Sequence, residues 1–359
     1  MRFLCSLFIL NLAFASQVWA KRSSELVYTE PFDLAAGGTT LTRASQEGIV
    51  FANPALLPLG AAYIRWLGLQ TGVMIDRDLA ESGSTRIGDA AGAGESNFVD
   101  QLFGRSLHFG QTTTLSFLNQ NLAITAFNRF EVDVAGRRFG DAGLPTIDFA
   151  VEAYAGALTS LATRPWRWLS LGLTAKHLYV AEPTISVPIA DQNRVRELVE
   201  NPNDLRDEVK IGKGTGADVG ALFLWQNHSL DLSLGLKVED LGATKLSGTE
   251  ESIPQTMHAG VGVAWHGTTE VLHLSLDFRD VLGAYAEEKT FKKVYVGARV
   301  MVRQMLGLAV GLYQGIPSFG VRMDLILFKL GVTAYGRELG DYPGEKQRNM
   351  VMIYTSLGF

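Results

Sequence analysis

The chain has 359 residues, of which 47% are hydrophobic and 19% charged, where an ordinary soluble domain carries about a quarter charged residues. Beyond the first twenty residues no stretch approaches eighteen uninterrupted apolar residues, which excludes a helical inner-membrane protein. The formal net charge of −5, with no basic stripe bearing interleaved aromatics, argues against a nucleic-acid partner.

Thirty-eight glycines and a slightly positive mean hydropathy fit the remaining class, a transmembrane β-barrel, whose apolar residues are diluted by alternation. In chain order, Met1 to Ala20 read as an export signal: a charged start at Arg2, an apolar run from Phe3 to about Leu12 that is too short to span a bilayer, then small residues. Cleavage after Ala15 or after Ala20 fits the pattern, and Ala20 is preferred because Lys21-Arg22 then opens the mature chain. The sole cysteine, Cys5, leaves with the signal, so no thiol, disulfide or cysteine-ligated metal is expected.

The stretch from Phe32 to Pro58 is rich in Ala, Gly, Thr and Pro and keeps neither helical nor strand periodicity for long. Gly37-Gly38 supplies backbone freedom, Pro54 fixes a torsion, and Asn53 can bond its own main chain in a turn. A short segment of this kind folds only when something else covers it. Residues 21–59 are therefore expected to form a plug, and residues 60–359 the barrel around it.

From residue 60 the chain alternates with period two. Leu230, Leu232, Leu234, Leu236 and Val238 point one way, and Asp231, Ser233, Gly235, Lys237 and Glu239 the other. Leu272, Leu274, Leu276 and Phe278 alternate with Val271, His273, Ser275 and Asp277 in the same manner. Such runs place strands at roughly 61–75, 111–118, 121–134, 146–161, 167–181, 214–226, 229–240, 256–266, 270–280, 291–302, 305–314, 318–327, 329–339 and 349–359, about fourteen in all. Several run to about ten residues, longer than the five or six usual in a soluble sandwich.

Every second connection is tight: Asn119-Gln120, Ala162–Trp166, Asn227-His228, Gly267–Thr269, Arg303-Gln304 and Phe328. The others are mostly long, with Gly315–Pro317 the exception. This sorting is expected of a bacterial barrel with both termini in the periplasm. Trp166, Trp168, Trp225 and Trp265 lie beside tight turns, where an interfacial girdle belongs. The chain closes with Val351, Ile353, Thr355, Leu357 and Phe359 on one face, like the assembly signal of outer-membrane proteins.

Magnitudes assign the faces. Arg129, Arg299 and Arg322 fall near mid-strand, where a charge facing lipid costs about 2–4 kcal/mol. Three such costs would consume much of a folding stability of roughly 5–15 kcal/mol. The apolar register therefore faces lipid, and Arg129, Glu131, Asp133, Arg299, Arg322 and Asp324 are candidate lumen-lining residues.

The Gly37-Gly38-Thr39 turn followed by Asn53-Pro54-Ala55, the fourteen strands and the terminal aromatic together resemble the FadL family of bacterial outer-membrane long-chain fatty acid transporters and its PorV-like relatives. The resemblance implies a hatch-plugged barrel in the outer membrane of a Gram-negative-type bacterium. It implies uptake of hydrophobic small molecules such as long-chain fatty acids, with outer-membrane lipid and the barrel assembly machinery as partners. Gly37, Gly38, Asn53, Pro54 and Ala55 carry over as hatch residues. The alternative from the same resemblance is a PorV-like accessory barrel that binds or shuttles secreted proteins. An unplugged porin is the third class, which the plug argues against.

One wall position stands out. The lipid-facing register of strand 121–134 reads Leu122, Ile124, Ala126, Asn128, Phe130, Val132, and an unpaired amide in hydrocarbon costs several kcal/mol. Either Asn128 is simply tolerated, or the wall is interrupted there. The family's kinked third strand, which forms a side opening, implies a broken ladder between about Ala126 and Phe130.

Enzyme chemistry finds no footing. No Gly-x-Ser-x-Gly, His-Glu-x-x-His or phosphate-loop motif occurs, and Gly212, Gly214, Gly216 and Gly220 precede a strand and not a helix. His258, His266 and His273 are close in sequence, but the turn near Thr268 keeps His258 and His273 from being cross-strand partners. Asp191–Val199 reads as a short helix over an outer loop with a solvated face. No catalysis, cofactor or metal is expected.

Overall fold

The structure is a computed structural model that describes residues 25–60, 65–77, 106–137, 146–181, 184–188, 211–248, 252–325, 327–338, 342, 344 and 347–358. Period-two alternation produces strands β1 (Arg65–Asp76), β2 (Ser106–Leu118), β3 (Leu122–Arg137), β4 (Thr146–Trp166), β5 (Leu169–Ala181), β6 (Thr184–Pro188), β7 (Gly212–Gln226), β8 (Leu230–Glu239) and β9 (Thr244–Ser247). They continue as β10 (Ser252–Ile253), β11 (Thr256–His266), β12 (Glu270–Phe278), β13 (Val294–Val302), β14 (Leu306–Tyr313), β15 (Ile316–Leu325), β16 (Phe328–Glu338) and β17 (Gln347–Gly358).

Fourteen of these pair antiparallel in a ring that β1 closes against β17, with Gly68 opposite Gly358 and Asp76 opposite Met350. Short strands β6, β9 and β10 lie outside the fourteen. β6 pairs with β4 beyond the end of β5, while β9 and β10 pair together above β7.

The faces sort as the arginine cost requires. In β15, Ile316, Ser318, Gly320 and Arg322 are buried toward the lumen, while Phe319 and Val321 are 56% and 49% exposed outward. Trp66, Trp166, Trp168, Trp225 and Trp265 stand exposed at the tight-turn end, Trp166 and Trp168 stacked at 5.4 Å between ring centres. Arg303 and Gln304 both take positive φ, 50° and 57°, the two-residue turn whose twist matches its flanking strands. Gln314 and Gly315 do the same at the opposite end, which explains how that connection stays short.

Three sequence expectations need correction. The turn placed at Ala162–Trp166 is Arg167-Trp168, because Ala162 and Thr163 still pair with Gly172 and Leu171 and a bulge carries the ladder to Trp166. Phe328 is not a turn but the first residue of β16, paired with Leu325. The third concerns Asn128. It pairs with Thr113 on β2 and Ala155 on β4, and the ladder runs unbroken on both sides from Ala126 through Phe130. No backbone group is freed for its amide, and its neighbours shield the side chain to 5% exposure. The lateral-opening reading at Asn128 is withdrawn.

The export signal, the helix expected at Asp191–Val199 and Phe359 lie outside the described residues. In β17, Val351, Ile353, Thr355 and Leu357 occupy the outward register.

Candidate functional site

Fourteen strands enclose more space than their own side chains fill, since about eight suffice for a packed interior. Residues 25–60 occupy that space. The segment begins near the long-loop end, where the Glu25 carboxylate accepts from Gln314 and pairs with Arg337 at 3.2 Å. It forms helix α1 (Pro31–Ala35) and closes with turns at Pro54–Leu56 and Leu57–Gly60 beside β4 and β5. Glu30 caps α1, its carboxylate accepting from the Phe32 and Asp33 amides.

Where the segment's backbone meets the wall, the wall has glycine. Three cross-strand pairs face inward: Gly172–Gly220, Gly235–Gly260 and Gly297–Gly311. A Cβ on Gly172 would come within 2.4 Å of Pro54, one on Gly235 within 2.2 Å of the Leu41 carbonyl, and one on Gly297 within 2.0 Å of the Ala36 carbonyl. Gly37 and Gly38 answer from the other side with φ of +66° and +72°, and any side chain on Gly37 would strike the Val296 carbonyl.

Charged and polar side chains then fix the segment in register. Arg299 donates through Nη1 to Asp33 at 2.7 Å and through Nη2 to the Thr39 carbonyl at 2.8 Å. Asp277 accepts from the Thr40 and Leu41 amides at 2.6 and 3.0 Å, and Arg279 donates to the Gly38 carbonyl at 2.7 Å. Arg322 lies over the Phe32 ring at 4.3 Å, donates to Ser45 Oγ and pairs with Asp324 at 2.7 Å. Lys237 donates to the Phe51 carbonyl at 2.8 Å, and Lys329 holds Glu47 at 2.9 Å.

Asn53 is fully buried. Its amide nitrogen donates to the Leu41 and Ala221 carbonyls, and its oxygen caps the Ala55 amide, whose own carbonyl accepts from Ser170 at 2.6 Å. Pro54 packs between Gly172 and Gly220.

Arg129, Glu131 and Asp133 all point inward, but toward the upper lumen. Arg129 pairs with Glu131 at 2.5 Å and donates to the Val27 carbonyl, while Asp133 takes His108 and Arg348, each at 2.6 Å. Of the lumen candidates, Arg299 and Arg322 thus meet the core of the segment, Arg129 meets its start, and Glu131, Asp133 and Asp324 brace the arginines.

Apolar packing completes the seal. Phe51 packs against Tyr28 in a tilted arrangement at 4.7 Å and edge-on against Phe127 at 5.0 Å, in one cluster with Ile49, Leu56, Leu57, Leu158, Leu178 and Leu222. Burying six or so large apolar side chains contributes on the order of 10 kcal/mol, so wholesale ejection of the segment is rare and local rearrangement is the cheaper motion. The space left above α1 is about 30 Å³, room for a water or two. Beyond the strand ends, the 280–285 loop is tied down by Asp280. Burial works against its charge, but hydrogen bonds from Lys293 and from the Tyr285 and Ala284 amides outweigh it and hold the carboxyl below its ordinary range.

Several functional contacts were not read from the sequence. They include the glycine pairs, the Asp33–Arg299 ion pair, and a cluster of Tyr295, Tyr313, Tyr335, Met74, Met350 and Met352 around Leu34. A usable signal existed for the last, since tyrosines at 295, 313 and 335 sit in the lumen register where charge was expected.

Fold and lumen together define a β-barrel of the outer-membrane type whose interior is occupied by its own N-terminal segment. No family model matches the chain, and no curated protein sequence matches it. Solved structures do. The crystal structure of the Ralstonia pickettii toluene transporter TbuX aligns over 94% of this chain and 100% of its own, with a TM-score of 0.54 and 11% identity. The Pseudomonas putida toluene transporter TodX aligns over 94% of this chain and 99% of its own, with a TM-score of 0.50 and 10% identity. At such identity the likeness is one of fold, and this chain has the fold of those transporters, as the FadL resemblance in its sequence implies.

Proposed function

We propose that the protein is a gated outer-membrane channel for uptake of hydrophobic small molecules, with residues 25–60 as the gate. The observation that carries this reading is the filled lumen. A barrel with an apolar outer wall and a tryptophan girdle, fitted inside with a segment seated on three glycine pairs, is built to be closed at rest and opened by rearrangement. An open porin has no use for such a fit. The same features support placement in the outer membrane after removal of the export signal, with the tight turns toward the periplasm. The fold shared with two toluene transporters supports a hydrophobic cargo.

The test is reconstitution of the barrel into lipid bilayers with and without residues 21–58, alongside uptake of a radiolabelled hydrophobic solute. The intact protein should conduct ions poorly yet accelerate solute entry, and the deletion should conduct well. Equal conductance of the two forms, or no acceleration of solute entry, would overturn the proposal.

A further inference from the structure

We propose that the turn from Arg164 to Trp168, between β4 and β5, is a binding site for the headgroup and upper acyl region of one anionic phospholipid, in the leaflet at the tight-turn end of the barrel. The site is separate from the lumen and does not depend on what the channel carries.

The turn reads Arg164-Pro165-Trp166-Arg167-Trp168, which puts two cations and two indoles into five positions. A bulge between Thr163 and Trp166 sets Trp166 opposite Leu169, and Leu169 pairs on its other side with Phe223. All three belong to the register that faces lipid. Leu171 and Leu173 of that register are 40% and 47% exposed, yet Leu169 is only 8% exposed. Its cover is a slab of three rings. Trp166 stacks on Trp168 at 5.4 Å with 11° between planes, and Trp168 on Phe223 at 6.2 Å with 19°. Both indoles stay about half exposed, so the slab shows a broad face to the membrane interface. Indoles favour the headgroup level, where the ring meets lipid and the N–H meets water. Trp225 and Trp265, beside the β7–β8 and β11–β12 turns, make no ring contact among the described residues.

The charge of the turn is unbalanced. Arg164 donates to the Arg167 carbonyl and, at 2.8 Å, to the Gln226 side chain, which ties the turn to the end of β7. Gln226 in turn donates to Asp231 at 3.4 Å, and that carboxylate is already taken by His266 at 2.9 Å. Neither Arg164 nor Arg167 pairs with a carboxylate among the described residues, and the Arg167 side chain makes no hydrogen bond among them. Two such guanidiniums beside an apolar slab fit an anion that carries an apolar tail. A phosphate diester accepts two parallel N–H bonds from one guanidinium, while its glycerol and first methylenes lie along the rings. A zwitterionic lipid brings its own ammonium to the same place and gains less, and free phosphate has no tail for the slab. The β13–β14 turn supplies the contrast, because Arg303 stands exposed there with no tryptophan next to it.

The experiment is native mass spectrometry of the full barrel released from detergent, titrated with dioctanoyl phosphatidylglycerol and, separately, with dioctanoyl phosphatidylcholine. The parent protein should hold one phosphatidylglycerol at least about tenfold more tightly than phosphatidylcholine. Arg167→Gln should lose about fivefold of that affinity, and Trp168→Leu, which keeps both charges, should weaken it as well. Arg303→Gln, which removes the same charge from a turn without tryptophan, should leave it unchanged. A large excess of inorganic phosphate should not displace the lipid. Heat-modifiable migration on gels confirms that each variant is assembled. Equal affinity for the two lipids, an affinity untouched by Trp168→Leu, or equal losses in Arg167→Gln and Arg303→Gln would overturn the proposal, since the turn would then be ordinary interface. Displacement by inorganic phosphate would overturn it too, since the ligand would then be a free anion.

Discussion

Asp33→Asn tests how the segment is held. The Asp33 side chain is fully buried and accepts from Arg299 at 2.7 Å and from the amide and hydroxyl of Ser45 at 3.0 Å. Asparagine keeps the shape but removes the charge, leaving the Arg299 guanidinium, 6% exposed, without its carboxylate. Removing one member of a buried pair costs about 3–5 kcal/mol, because the other stays desolvated. At about 1.4 kcal/mol per factor of ten, the state with α1 released becomes about a hundred to a few thousand times more populated. Hydrogen exchange of the amides from Leu34 to Leu41 should accelerate accordingly, and bilayer conductance should rise. Adding Arg299→Gln should recover most of the protection, since a neutral amide pair can bond without a stranded charge. Unchanged exchange and conductance in Asp33→Asn, or a double variant no better protected than the single, would refute the assignment of this pair as an anchor of the segment.

Three further outcomes are expected. Gly297→Ala places a Cβ within 2.0 Å of the Ala36 carbonyl, so the segment must shift and the assembled barrel should leak in bilayer recordings; a conductance equal to the parent's would show that the seat tolerates a methyl. Asp280 is held below its ordinary range, so its tie to the 280–285 loop is present above the free-chain value of about 3.9 and lost as pH falls through its lowered one. Protection factors of the Ala284 and Tyr285 amides should therefore hold from pH 7 to about 4 and drop below that, while Asp280→Asn should show the reduced protection already at pH 7. Phe359→Ser should lower outer-membrane levels of assembled protein, measured by gel migration of membrane fractions, because the terminal aromatic matches an assembly signal; normal levels would contradict that reading.

The sequence alone determined the wall. Strand alternation has period two and is a local property, so the number of strands, the lipid-facing register and the sorting of turns could be read from runs such as Leu230–Glu239. The cost of a charge in lipid turned Arg129, Arg299 and Arg322 inward without any coordinates. Composition also marked 32–58 as a segment needing cover.

What occupies the lumen, and how, is decided by contacts between residues far apart in the chain. Arg299 and Asp33 are separated by 266 positions and Ser318 and Gly37 by 281, and no periodicity encodes such pairings. Closure of the ring sets them, because the shear that brings β1 against β17 fixes which inward side chains lie at the height of α1. The same closure pairs Gly297 with Gly311 and Gly172 with Gly220, so that glycines dispersed along the sequence become seats for one backbone. It also settled Asn128. A polar residue in an apolar register suggested a gap, but cross-strand pairing depends on the neighbours' backbones, and Thr113 and Ala155 complete the ladder whatever side chain stands between them.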